Sequence, residues 1–513
     1  MNSVSPRPLI CHSPVNPGVT STGADVSDVT QRSDLGKQAV QSTAWAYGSF
    51  VSGKFLVFVS TIILARILLP AEFSQMGYCL IAIQYLDILN GFGVSSAIIS
   101  RRDRIEEAAN AALLIGVTTG IVLFGLSWIA APFLAEFFNE PKVTDLLRAL
   151  AIVIPISAIG AVPTALIQRS MRFKAKFVPD IGRSIAKGGL SVILAWQGYG
   201  VWSLVIGQIG GEVIATVITL ALGRWRPTRK LDRQVTREML RYGFHIIAVG
   251  IVGALIINVD YLIVGRVLGA AALGYYTLAY RIPELVIRNT NYVIGKVAFP
   301  LLSQVQSSAS ELKHAYASLL RYVSLFTIPA GVGLALIAPV FVRTFYTERW
   351  DDSIPVMQLI ALALGISSIG FLPGIIYKSI NRPDILNQLS LVKLGATVGT
   401  LLLAVRWDLV GVAAGQVVLS VFFVTLDTLV VRRVLAFTVD DLMRALMPCV
   451  ASTTVMATAV ILLSAVVQPS GIAGLVLVVS VALLAYIGTL ALVSRETVTR
   501  AHRVVRSAFA RAT

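Results

Sequence analysis

Ala65-Arg66-Ile67-Leu68-Leu69-Pro70-Ala71, followed by Phe73-Ser74, returns 200 residues later as Gly265-Arg266-Val267-Leu268-Gly269-Ala270-Ala271, followed by Leu273-Gly274. Gly53 and Gly253 keep the same offset. Ile156-Ser157-Ala158-Ile159-Gly160 with Pro163 matches Ile366-Ser367-Ser368-Ile369-Gly370 with Pro373 at an offset of 210, and Gly207-Gln208 matches Gly415-Gln416 at 208. One match would be chance. Three in order, at nearly one offset, mark a duplicated unit.

The stretches joining these matches are apolar. Of 513 residues, 56% are hydrophobic and only 14% charged, with a mean hydropathy of +0.78; soluble domains carry roughly 25% charged residues. A chain this long and this apolar cannot hide its surface in one water-soluble core. A span needs roughly 20 apolar residues. Fourteen such runs fall near 42–66, 75–99, 109–135, 146–167, 177–196, 200–222, 239–264, 272–298, 318–342, 353–377, 384–404, 409–431, 442–466 and 471–493. The net charge of +16 does not signal nucleic-acid binding, because the basic residues lie between apolar runs instead of on a polar domain.

Those basic residues fall in alternate loops. One set holds Arg101, Arg102 and Arg104; Arg169, Arg172, Lys174 and Lys176; Arg224, Arg226, Arg229, Lys230, Arg233 and Arg237; Lys313; Lys378 and Arg382; Arg432 and Arg433. The other set holds few, such as Arg66, Lys142, Arg266, Arg343, Arg349 and Arg406. Positive loops stay in the cytosol, so both termini are expected there. Each repeat unit then contains six spans, 1–6 and 7–12. An even number keeps both copies in the same orientation, so they are parallel repeats about an axis along the membrane normal, with substrate between them and alternating access by rocking. The expected fold is an all-α polytopic membrane protein of about fourteen transmembrane helices, two six-helix lobes plus two extra C-terminal helices. The expected organisation is a disordered cytosolic tail (1–36), an N-lobe (37–236), a C-lobe (237–435), spans 13 and 14 (436–495) and a basic cytosolic tail (496–513).

Ionisable residues at membrane depth are costly, about 2.5–3.5 kcal/mol on insertion scales, and mark function or a buried partner. The cationic candidates are Lys54, Arg183, Lys187, Arg281, Arg288 and Lys393; the acidic ones are Asp87, Glu212, Asp260, Glu284 and Asp427. Arg281, Glu284 and Arg288, at i, i+3 and i+7, are expected on one helical face, with Pro283 as a kink among them. A cavity ringed by guanidinium and ammonium groups suits phosphate. Internal pairing of Glu284 is the competing reading for that trio, and snorkelling toward the membrane surface for Arg183. The acids are candidates for proton or sodium coupling; for Asp260 a structural hydrogen bond is the favoured reading. Gly53 and Gly253 are candidates for close packing, Pro163 and Pro373 for bends or hinges. No phosphate-binding loop or catalytic constellation occurs. Cys11, Cys79 and Cys449 are far apart, and the four histidines make no zinc spacing, so no metal or cofactor is expected.

The run Asn258-Val259-Asp260-Tyr261-Leu262-Ile263-Val264-Gly265-Arg266-Val267-Leu268-Gly269, continuing through Gly274-Tyr275-Tyr276 and Ala279 to Phe299-Pro300-Leu301-Leu302, resembles spans 7 and 8 of bacterial polysaccharide transporters, the Wzx-type flippases. Leu64-Ala65-Arg66-Ile67-Leu68 and Phe92-Gly93-Val94-Ser95-Ser96-Ala97-Ile98-Ile99 with Arg101-Arg102-Asp103 are similar to the colanic-acid and teichuronic-acid branch, while Ser74 stands where that family usually has Gly. The resemblance covers about residues 37–495. It implies the multidrug/oligosaccharidyl-lipid/polysaccharide exporter superfamily, a MATE/MurJ-like V-shaped pair of lobes in the bacterial cytoplasmic (inner) membrane, and export of an undecaprenyl-diphosphate-linked oligosaccharide for exopolysaccharide or lipopolysaccharide assembly. It also implies a glycan polymerase and a chain-length regulator as partners. Lys54, Arg281 and Arg288 would meet the diphosphate. A peptidoglycan-precursor flippase and a cation-coupled drug exporter are alternatives within the superfamily; a membrane scaffold or a glycan polymerase is the alternative outside transport.

Overall fold

The computed structural model describes residues 52–91, 98, 101, 103–170, 172–223, 225–228, 230–306, 308–380 and 382–494. The two tails, the start of span 1, and Arg102, Arg224 and Arg229 lie outside them. Among the described residues there is no strand, and helices occupy all fourteen expected spans. Spans 1 to 3 are α1 (52–67), α2 (Pro70–Gly91) and α3 (Ile105–Phe138). Span 4 is split into α4 (Val143–Leu150) and α5 (Val153–Arg169); α6 (Phe173–Trp196) and α7 (Trp202–Leu222) complete the first lobe. In the second lobe, α8 (Arg233–Val267) leads to α9 (Gly269–Pro283), a π turn (Glu284–Arg288) and α10 (Asn289–Gln304), which together form span 8. Then come α11 (Ala309–Phe345), a span 10 divided into α12 (Ser353–Ser367) and α13 (Phe371–Ser379), α14 (Pro383–Ala404) and α15 (Asp408–Leu435). Spans 13 and 14 are α16 (Val439–Val467) and α17 (Gly471–Val493).

Local chemistry sets several helix starts. Asp232 caps α8 by accepting from the Val235 amide, and Ser308 caps α11 by accepting from Glu311. Thr438 and Asp441 form a reciprocal capping box on α16. Hydrogen bonds from Lys313 and Thr438 hold the Asp441 carboxyl well below the usual carboxylate range. The expected proline bends fall differently. Pro163 sits inside an α5 that runs on through it, and span 4 breaks earlier, at Ala151–Ile152. Pro373 lies in the first turn of α13, just after the break at 368–370; there its missing N–H costs no helical bond.

The duplication is visible in reciprocal contacts. Ser74 Oγ donates to the Ala270 carbonyl, while a Cβ on Gly274 would run into the Pro70 carbonyl. Residues 70 and 74 meet 270 and 274, as two copies crossing at a common axis must. A Cβ on Gly160 would lie 3.2 Å from Thr216 of α7, and one on Gly370 2.8 Å from Asp427 of α15. Gly207 packs α7 on α6, and Gly415 packs α15 on α14. Gly53 packs on Ser184, but nothing among the described residues comes within 4 Å of a Cβ at Gly253, so its expected packing role is not shared.

The largest hydrophobic core joins both lobes. It includes Leu64, Tyr78, Phe138 and Leu146 from the first, and Leu273, Phe341, Trp350 and Ile360 from the second. Toward the face carrying the basic loops, one core packs Ala108, Ile115 and Val162 of the first lobe against Met239 of α8, and a separate one holds Leu302, Tyr316, Ile376 and Leu435 of the second lobe. α16 and α17 dock on the outside of the C-lobe against α11, where Tyr486 donates to the Leu325 carbonyl at 2.7 Å.

Candidate functional site

Eight segments are long and apolar enough to cross a membrane on length and composition, one of them, Asp384–Leu435, holding both α14 and α15. Spans 2, 5, 7 and 8 are not among them. They are the spans carrying Asp87, Arg183 with Lys187, Asp260, and the Arg281–Arg288 run, and charge at that depth needs a partner or a polar space.

Small residues bring the cationic helices together. On α7, Gly207 and Gly211 lie against α6: a Cβ on Gly211 would stand 2.9 Å from the Arg183 carbonyl and 2.9 Å from Lys187 Cβ. α1 closes on the other side of α6, with Gly53 at 3.2 Å from Ser184 Oγ and Gly188 at 3.0 Å from Ser60 by the same measure. Such small-residue seams let membrane helices approach closely. Lys187, half-buried, lies within electrostatic range of Lys54, Arg183 and Glu212 of its own lobe and of Arg281 from the other. Lys54, Lys187 and Arg281 all stand about 14–20 Å from the far ends of their helices at 1.5 Å per residue, in the middle of a hydrocarbon layer about 30 Å thick. Arg183 donates to Glu212 at 3.0 Å, and Asp87 is near both.

The Arg281–Glu284–Arg288 run does not act as one face. The π turn after Pro283 widens the helix and takes Arg288 out of α-helical register. Arg281 lies within electrostatic range of Lys187. Arg288 instead pairs with Glu284 at 3.4 Å and lies over the Tyr280 ring. Close by, buried Asp260 accepts from Tyr276 Oη at 3.0 Å and from Gln416 Nε2 at 3.1 Å. The repeat counterparts of Asp260 and Tyr276 are Ser60 and Met76, so this network exists in the C-lobe alone. Lys393 is joined to Asp427: its ammonium donates to both carboxylate oxygens at 2.8 and 2.7 Å and rests against the Phe423 ring.

On the far face the repeated motif itself closes the molecule. Arg66 donates to the Phe345 and Thr344 carbonyls at 2.8 and 2.7 Å, orphan acceptors at the end of α11. Trp350 Nε1 donates to the Ala65 carbonyl at 2.8 Å, Tyr78 to the Gly265 carbonyl at 3.1 Å, and Arg266 lies over the Phe137 ring. The single-sequence reading did not identify Tyr276, Trp350 or Gln416 as functional. Gln416 stood out as a repeat marker, which was the available signal.

A family model described as polysaccharide biosynthesis protein matches residues 63–355, both copies of the motif included. The chain belongs to that family. Family relatives are similar over most of their length: Lipopolysaccharide biosynthesis protein WzxC of Escherichia coli (strain K12) is 25% identical over 353 residues, 68% of this chain and 72% of that one. Succinoglycan biosynthesis transport protein ExoT of Rhizobium meliloti (strain 1021) is 26% identical, covering 71% of this chain and 74% of that one. Teichuronic acid biosynthesis protein TuaB of Bacillus subtilis (strain 168) is 23% identical, covering 64% and 68%. In fold, this polysaccharide biosynthesis protein is similar to the Lipid II flippase MurJ in an inward closed conformation, with a TM-score of 0.73 at 15% identity, 90% of this chain and all of that one. It is also similar to an inward-facing MATE family multidrug transporter of the MOP superfamily, with a TM-score of 0.61 at 16% identity, over 75% of this chain and 94% of the other. The chain is thus a multi-pass membrane transporter of polysaccharide biosynthesis with a fold like that of those two solved transporters.

Proposed function

We propose that the protein flips an undecaprenyl-diphosphate-linked oligosaccharide from the cytosolic to the outer leaflet of the bacterial cytoplasmic membrane by alternating access. The carrying observation is the cation group of Lys54, Arg183, Lys187 and Arg281, drawn from both lobes at mid-membrane depth. A diphosphate is the group such a set binds best, and a site shared between lobes is one that rocking can expose to either side. The basic face is cytosolic by the positive-inside rule, so substrate is loaded from that side. Asp87 is the carboxylate assigned to proton or sodium coupling, while Asp260, held by Tyr276 and Gln416, keeps a structural role. The glycan polymerase and chain-length regulator act on the product and are its expected neighbours.

Reconstituted protein should move a fluorescent undecaprenyl-diphosphate oligosaccharide across liposomes, read as loss of protection from a membrane-impermeant quencher. No movement of any lipid-diphosphate sugar would sink the reading. The peptidoglycan-precursor alternative rests on the fold shared with MurJ and is separated by offering lipid II in the same assay. A drug exporter for cationic compounds is disfavoured by the sign of the cavity charge.

A further inference from the structure

Each lobe carries a cation at the same place in the repeat, held by a different acid. Arg183 and Lys393 are 210 residues apart, the offset of Gly160 and Gly370, and each stands ten residues past the first residue of its helix, α6 or α14. Their acids do not correspond. At the offset of Gly207 and Gly415, Glu212 answers to Ser420 and Asp427 to Thr219. The two acid positions are seven residues apart, about two helical turns.

The two contacts leave the cations in opposite states. The Lys393 ammonium donates to both oxygens of Asp427 and its side chain is 25% exposed. Arg183 makes a single-pronged contact, from Nη2 to Glu212 Oε1 at 3.0 Å, and among the described residues this is its one hydrogen bond. Its side chain stays 46% exposed while that of Glu212 is 10% exposed. The Gly211 seam fixes the pair, since a Cβ there would stand 2.9 Å from the Arg183 carbonyl. A guanidinium is a planar fork of five N–H donors. Held at one edge, it keeps a fixed orientation and offers its remaining donors to two phosphate oxygens. Those donors lie in the company of Lys187, of Asp87 on α2 and, through Lys187, of Arg281 from the other lobe.

A buried carboxylate beside a phosphate site has a second effect. It repels the substrate and competes for the same guanidinium. A transporter needs that competition, because binding that is equally tight in every state lowers the half-saturating concentration without raising turnover.

We propose that Glu212 is a positioning residue: it aims Arg183 at the diphosphate and is the resident anion that takes the guanidinium back when substrate leaves. This rests on the lipid-diphosphate reading above and adds to it the means of release. The test uses the full-length protein, in nanodiscs for binding of undecaprenyl diphosphate and in liposomes for flipping of the fluorescent oligosaccharide lipid. Glu212→Gln keeps an acceptor for Arg183 and removes the charge. It should bind undecaprenyl diphosphate about ten-fold more tightly, the scale of one charge-assisted hydrogen bond. Its maximal flipping rate and its half-saturating lipid concentration should fall together. In an Arg183→Ala background, Glu212→Gln should change neither quantity further, because it acts through Arg183. Should Glu212→Gln fail to fold, Arg183→Gln with Glu212→Gln strands no charge and should bind about ten-fold more weakly than wild type; wild-type affinity there would take the pair out of the site. Lys393→Met with Asp427→Leu should leave affinity and rate unchanged, and a ten-fold loss there would overturn the assignment to the first lobe. If Glu212→Gln leaves affinity and rate at wild-type values, or lowers both, Glu212 is a structural partner alone and the transport reading stands. If undecaprenyl diphosphate does not bind the wild-type protein, both readings fall together.

Discussion

Lys187 is held on a helix pressed against Gly207 and Gly211, within electrostatic range of Arg281 of the other lobe. Removing it should cost at least about ten-fold in transport without unfolding the protein, since a charge-assisted contact to phosphate is worth more than an ordinary hydrogen bond. Arg281→Lys should fail to restore a loss seen in Arg281→Ala, because an ammonium cannot grip two phosphate oxygens as a planar fork does. The liposome assay reads both. Lys393 behaves differently because Asp427, with a side chain only 3% exposed, already holds it. Lys393→Met should lower stability by about 3 kcal/mol by stranding a buried carboxylate, and Lys393→Met with Asp427→Leu should recover most of that. Denaturation in detergent tests this; a harmless single variant would refute the pairing as a structural element.

Among the elements, the far-face closure depends on loops that the repeat made conspicuous. Arg66 on the end of α11 and Trp350 on the Ala65 carbonyl are three hydrogen bonds between the lobes. Each is worth about 1 kcal/mol net, a roughly five-fold change in a two-state balance. Arg66→Ala and Trp350→Phe should therefore raise the population open to the far side. A single cysteine placed below the latch should then label faster with an impermeant thiol reagent added from that side; unchanged labelling in both variants would show that the latch carries no weight. The π turn in span 8 performs a different task. It sets Arg288 on Glu284 and the Tyr280 ring, while Arg281 lies in electrostatic range of Lys187.

At the scale of the whole molecule, orientation follows from charge. Reporter fusions after Arg433, in the loop before α16, should read cytosolic. Fusions after Arg406, between α14 and α15, should read external. The opposite pattern would invert the direction assigned to transport. The lobes share a large core toward the far face and, toward the basic face, a smaller one in which Met239 of α8 packs on the first lobe. Rocking then requires breaking the far-face contacts of α2 with α9 while keeping each lobe's interior intact, which the reciprocal crossing at residues 70, 74, 270 and 274 permits.

Span number, approximate span limits and duplication were legible in the chain itself. They depend on runs of apolar residues, alternation of basic loops and recurring Gly, Pro and Arg, all of which are linear properties. The inventory of membrane-depth charges was legible for the same reason. Their partners were not. Lys187 lies within electrostatic range of Arg281 from nearly a hundred residues away, Lys393 is neutralised by Asp427, and Asp260 is held by Tyr276 and Gln416. Those meetings depend on how each helix is rotated about its axis and how closely Gly seams let its neighbour approach. The break at Ser368–Gly370 and the π turn after Pro283 shift that rotation by local amounts that an ideal 3.6-residue period does not contain. The two irregularities line opposite sides of one cavity, with Arg288 on one wall and Phe371 on the other, and that coincidence belongs to the tertiary structure.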